Sequence, residues 1–163
     1  MVVIAILTVV VSAMTGAVVN VAQLVPTNQE SGRALDAARG ILETLKSTAF
    51  DEVYARYNAS PADDPGGPGT APGSGFTAAG LSPLPTDLDG MVGAIEFPEV
   101  GGVLSELAVD DTLGMPMDLN RSGDVQAGDR SGDYRIFPIR IRLEWTGSSG
   151  TRSMQLHTVI TTP

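Results

Sequence analysis

Cysteine is absent from the 163 residues, which excludes a disulfide framework, a thiolate nucleophile and any Cys-ligated metal centre. Basic residues are scarce. Ten Lys and Arg against 19 Asp and Glu leave a net charge of −9, the wrong sign for a nucleic-acid partner, whose phosphates require a basic face. The single histidine, His157, falls in a strand-like stretch, where a surface imidazole is expected. Nucleophile elbow, phosphate-binding loop and zinc spacing are all missing. The paired carboxylates Asp63-Asp64 and Asp110-Asp111 lie in loop-like surroundings and read as solvated turns. The sequence therefore predicts no enzymatic activity. Its acidity suits a solvated surface or cation binding.

Charged side chains are missing altogether ahead of Glu30. A bilayer core about 30 Å thick is crossed by roughly 20 apolar helical residues, so residues 1–25 are expected to form a transmembrane helix half. A secretory signal peptide is the alternative reading, disfavoured because no Lys or Arg precedes the run and the run outlasts an ordinary signal core. Ala13, Gly16 and Ala17 are small enough for close helix-to-helix approach. Pro26 then predicts a kink or a fresh helix start, with Thr27 or Asn28 as its cap. From there Leu35, Ala38, Leu42, Leu45, Ala49 and Val53 form one apolar stripe, opposed by Arg33, Asp36, Arg39, Glu43, Lys46 and Asp51. That is an amphipathic helix half over residues 26–57.

Residues 58–89 are rich in Gly and Pro and read as a loop. Within them Asn58-Ala59-Ser60 fits a glycosylation sequon, but reads better as a turn. From residue 90 the apolar period changes to two, giving an antiparallel β head over 90–163. Residues 91–97 and 103–109 are expected to pair as a hairpin across Gly101-Gly102. The strongest strand covers 134–146, with Phe137, Ile139, Ile141, Leu143 and Trp145 on one face. Regular pairing is expected from Ile139, just after Pro138. A turn at residues 147–150 leads into 151–161, where Met154, Leu156, Thr158 and Ile160 share a face. The predicted fold class is α+β: a long N-terminal helix, transmembrane below and amphipathic above, packed on a small antiparallel sheet of about four strands. Trp145 and Ile141 are expected to face Leu42 and Leu45.

The opening Met1-Val2-Val3-Ile4-Ala5-Ile6-Leu7 resembles the interior of the class III prepilin signature, F-T-L-I-E-x-M-V-V-I-A-I-L, shared by type IV pilins and type II secretion pseudopilins. The front of that signature, with its Gly, methylated Phe and buried Glu, is not in the sequence, so the resemblance implies a chain that is truncated or starts at an internal Met. The loop ahead of Gly132-Asp133-Tyr134-Arg135 and the strand after it look closest to type IV pilus modification proteins. The resemblance implies a minor pilin or pseudopilin that assembles with other pilin or pseudopilin subunits through its N-terminal helix. It also implies a place in the bacterial inner membrane, with the head outside the cytoplasm.

Residues 118–129 resemble an EF-hand or dockerin-type calcium loop. Asp118, Asn120, Ser122 and Asp129 stand at positions one, three, five and twelve, with Gly123 at the sharp turn and the Asp124 carbonyl at seven. These five oxygen donors are the candidate metal ligands and calcium the candidate ion. Ser at five, Asp instead of Glu at twelve and a strand downstream depart from the pattern. The alternative function is a monomeric, membrane-tethered calcium-binding module that does not polymerise.

Overall fold

The computed structural model describes the backbone of residues 2–162 and the side chains of Leu7, Met14 and residues 26–162. Helix α1 spans Val2–Ser47 and contains Pro26, so neither a new start nor a cap is found at residues 26–28. At its end the Ser47 and Thr48 hydroxyls donate to the Thr44 carbonyl at 2.9 Å each. A 3₁₀ turn, Phe50–Glu52, and a short α2, Val53–Tyr57, follow.

The expected fold needs correction at α1. Among the described residues no helix is long and apolar enough to cross a membrane. From Pro26 onward, where its side chains are described, α1 carries Glu30, Arg33, Asp36, Arg39, Glu43 and Lys46, which no bilayer core accepts. The membrane contact expected of residues 1–25, and the packing roles of Ala13, Gly16 and Ala17, lie outside the described side chains. The amphipathic helix also stops at Ser47 instead of about residue 57. Its buried stripe is Ala34, Ala38 and Leu45, with Ala37, Ile41 and Leu42 half-buried. Ala49, past the helix end, is exposed.

Four antiparallel strands form the main sheet in the order β1-β2-β5-β6: β1 Gly75–Phe76, β2 Gly93–Glu96, β5 Ile136–Gly147 and β6 Gly150–Thr161. A separate pair, β3 Glu99–Val100 and β4 Val103–Leu104, closes over Gly101-Gly102. The expected hairpin between 91–97 and 103–109 is therefore replaced: β2 pairs with β5, Ile95 opposite Ile141. β1 comes from the stretch read as loop. Phe76 lies opposite Gly93 and fills the space over it, so a side chain at 93 would collide with the ring.

Alternation along β5 buries Phe137, Ile139, Ile141, Leu143 and Trp145, leaving Arg140, Arg142 and Glu144 half-exposed on the other face. Pro138 lies inside the strand, opposite Val159. Its missing N–H costs no ladder bond, because even-numbered β5 amides point toward β2, which ends at Glu96.

The inner face packs on α1 in a different order from that expected. The Ser148 amide donates to Glu30 Oε1 at 2.9 Å, placing the Trp145 end of β5 at the Glu30 turn of α1. Leu45 instead shares a cleft with Val159 and Ile160. The Glu30 carboxyl is held below the usual carboxylate range, chiefly by the Ser148 amide, with the Ser148 and Trp145 side chains and the Arg152 charge adding to it.

At the other end Phe50, Tyr134, Phe137, Phe97 and Tyr54 form a chain of ring contacts with centroids 4.6 to 5.6 Å apart. The Tyr134 hydroxyl donates to the Phe50 carbonyl at 2.7 Å and accepts the Tyr54 amide at 3.4 Å. Burial pushes its pKa up to about 12, so it stays a donor at physiological pH. This clamp accounts for the helix break: Phe50 must leave the α1 axis to join the rings.

Candidate functional site

Residues 118–129 sit between β4 and β5, and everything from Arg121 to Asp129 is exposed. Asp118 closes the first turn, Oδ1 accepting the Ser122 amide at 3.0 Å and Oδ2 the Gly123 amide at 2.7 Å. Asn120 Oδ1 also accepts the Ser122 amide, at 3.1 Å, while its Nδ2 donates to Asp133 at 2.8 Å. Ser122 Oγ donates to the Asp124 carbonyl at 3.1 Å. The tight path needs a positive φ at Arg121 (58°) and at Gly123 (103°), the second of which glycine adopts freely.

Asp118, Asn120, Ser122 and the Asp124 carbonyl thus come together in one turn. Asp129 does not join them: its two oxygens accept the Ser131 amide at 2.9 Å and hydroxyl at 3.0 Å. Among the described residues no group of three or more His, Asp or Glu side chains gathers as a metal centre would require.

The residue that organises the loop was not singled out from the sequence. Glu106 is fully buried, just beyond β4. Its Oε1 accepts the amides of Leu119 (3.1 Å) and Asn120 (3.4 Å), and its Oε2 accepts that of Gln126 at 2.7 Å. One carboxylate therefore holds both arms of the loop. Arg130 Nε approaches Oε1 at 3.3 Å, close enough for charge attraction but without hydrogen-bond alignment. The Arg130 amide donates to the Leu104 carbonyl at 2.9 Å, and those of Arg135 and Ile136 to the Leu119 carbonyl at 2.8 and 3.1 Å. The loop is in this way tied to both β4 and the start of β5.

A second charged group covers the outer face of the sheet. Glu96 accepts Arg140 Nε at 2.7 Å and Arg142 Nε at 2.6 Å, Arg142 also reaches Glu144 at 2.6 Å, and Arg140 pairs with Asp110. Asp110 caps the 3₁₀ turn Asp111–Leu113, and the Thr112 hydroxyl is the main group holding its carboxyl below the usual range. The network orients side chains on a solvated surface, where such pairs contribute about 0 to 1 kcal/mol each.

The remaining sequence candidates resolve as turns. Asn58 is buried, donates to Asp63 at 2.7 Å and accepts the Ser60 amide at 2.9 Å. Asp64 accepts the Ala71 amide at 3.1 Å, and His157 is exposed on β6. No family model, curated protein or solved structure matches the chain.

Proposed function

We propose that the chain is a pilin-like structural subunit, a minor pilin or pseudopilin, that assembles with similar subunits through α1. One observation supports this most. Leu7 and Met14 are 64% and 70% exposed on the helix whose later part, from Ala34 to Leu45, forms the core of the head. Seven residues apart, they share one face of a helix. Apolar side chains on one face call for a partner. Because the chain lacks cysteine, single Leu7→Cys and Met14→Cys variants of the full chain can be cross-linked in cells with a short bis-maleimide. A cross-linked dimer, the limit for one thiol per subunit, is expected from both, and none from Leu88→Cys in the fully exposed loop. Monomer alone from Leu7→Cys and Met14→Cys would sink the reading.

Calcium at residues 118–129 is a separate proposal, supported by the convergence of Asp118, Asn120, Ser122 and the Asp124 carbonyl. An ion bound only to the folded loop stabilises it by about 2.7 kcal/mol at a hundredfold excess over Kd. The melting temperature of the full chain should rise in calcium, and Asp118→Ala should remove that increment. Equal melts in calcium and in chelator would leave an ordinary acidic turn.

A further inference from the structure

β6 is the outer strand of the main sheet, and its far edge pairs with nothing among the described residues. The register fixes which groups are free there. The Glu144 amide donates to the Val92 carbonyl at 2.8 Å and the Thr146 amide to the Ser82 carbonyl at 2.9 Å, so even-numbered β5 amides point away from β6. Odd-numbered ones bond it, through pairs such as Ile141 with Leu156 and Leu143 with Met154. The odd-numbered residues of β6, Ser153, Gln155, His157 and Val159, therefore turn both N–H and C=O outward. Edges of this length are usually blunted by proline, lysine or a bulge. β6 contains no proline or lysine, and it pairs one-to-one with β5 over all 12 of its residues.

A cleft of about 520 Å³ adjoins this edge, with Val159 and Ile160 on one side and Leu45, Phe50 and Val53 on the other. The geometry points to the edge as the docking site for a second copy of the chain, β6 against β6, antiparallel about a two-fold axis. Two observations select a second copy. The opposite edge, β1, is only two residues long, so a head-to-tail array has no strand to pair with and only the isologous contact extends the sheet. The chain also carries a net charge of −9, yet no Asp or Glu follows Glu144. At β6 two acidic molecules meet without opposing carboxylate side chains.

Alternation restricts the register, since outward backbone groups must meet outward groups. Centred on His157, the pairing sets Gln155 opposite Val159 and brings Met154 of the second copy beside Ile160 at the cleft. Centred on Leu156, it would bring Arg152 there instead, against apolar walls and Lys46. The first register is the one proposed.

The test is the association state of the full-length chain, with nitroxide labels on single cysteines introduced at Ser153, His157 or Met14. The proposal expects a dimer in sedimentation. Labels at Ser153 should lie about 27 Å apart at the backbone, eight residues at ~3.4 Å each, and labels at His157 should be in near contact. Gln155→Pro removes only an outward N–H and should give a monomer whose melt matches that of the parent chain diluted until it dissociates. If that melt falls, His157→Glu, which sets two carboxylates face to face, makes the same test without touching the backbone. A monomeric parent chain, or a dimer that both variants leave intact, would overturn the proposal. Association that brings Met14 labels together and leaves His157 labels far apart would overturn it too, while supporting assembly through α1.

Discussion

Replacing Glu106 with alanine is expected to destabilise the head by about 3 to 5 kcal/mol, the scale for removing one member of a buried ion pair. The change leaves Arg130, whose side chain is 13% exposed, with only its 3.5 Å contact to Asp133. It also removes the acceptor of the Leu119, Asn120 and Gln126 amides. An orphaned buried donor costs about 1 to 3 kcal/mol, although the exposed arm around Gln126 can open to water and recover part of that. Glu106→Gln should cost less, because one oxygen still serves Leu119 and Asn120 while the new amide group faces the Gln126 N–H. Arg130→Met should also cost less than Glu106→Ala, since the carboxylate keeps its three amide partners. Urea denaturation ranks the three variants, and amide exchange at 119, 120 and 126 reports the loop. An Arg130→Met cost above that of Glu106→Ala would mean that the charge pair, not the amides, holds the loop.

Much of this was legible in the sequence where one face of an element meets one environment. The alternation over residues 134–146 and 151–161 marks the inward residues of β5 and β6 correctly, although pairing begins at Ile136 and not at Ile139, because a half-buried strand writes its two faces into a period of two. The stripe near Ala38, Leu42 and Leu45 marks the packed part of α1 for the same reason.

Where several distant groups compete for one segment, the pattern fails. The helix ends at Ser47 because Phe50 is drawn into the ring cluster around Tyr134 and Phe137, partners more than eighty residues away. Residues 103–109 keep a strand-like alternation yet leave the ladder after Leu104. The alternation still held a usable signal: Leu104, Glu106 and Ala108 fall on the buried face, so a lone acid there must find donors. The loop oxygens of Asp118 and Asp129 lie on the surface side, while the carboxylate that binds the loop, Glu106, lies beneath it. The apolar run at residues 1–25 suggests a membrane span by composition alone, and no described helix meets that requirement.

The inner face of β5, closed by α1, forms the core that joins helix and sheet. Trp145 tests it most directly. It is 1% exposed, stands at the Glu30 end of α1, and ends the row begun by Phe137. Truncating a buried Trp removes its apolar area from the core and leaves a cavity that helix and sheet cannot both close, at a cost of about 3 to 5 kcal/mol. Val109→Ala, 88% exposed beyond β4, is the control and should stay within about 0.5 kcal/mol. Because Trp145 is the only tryptophan, unfolding of both variants is followed by circular dichroism in urea. Trp145→Ala is expected to lose several kcal/mol while Val109→Ala unfolds with the parent chain. A Trp145→Ala curve overlying that of the parent would show that the helix does not close this face of the sheet.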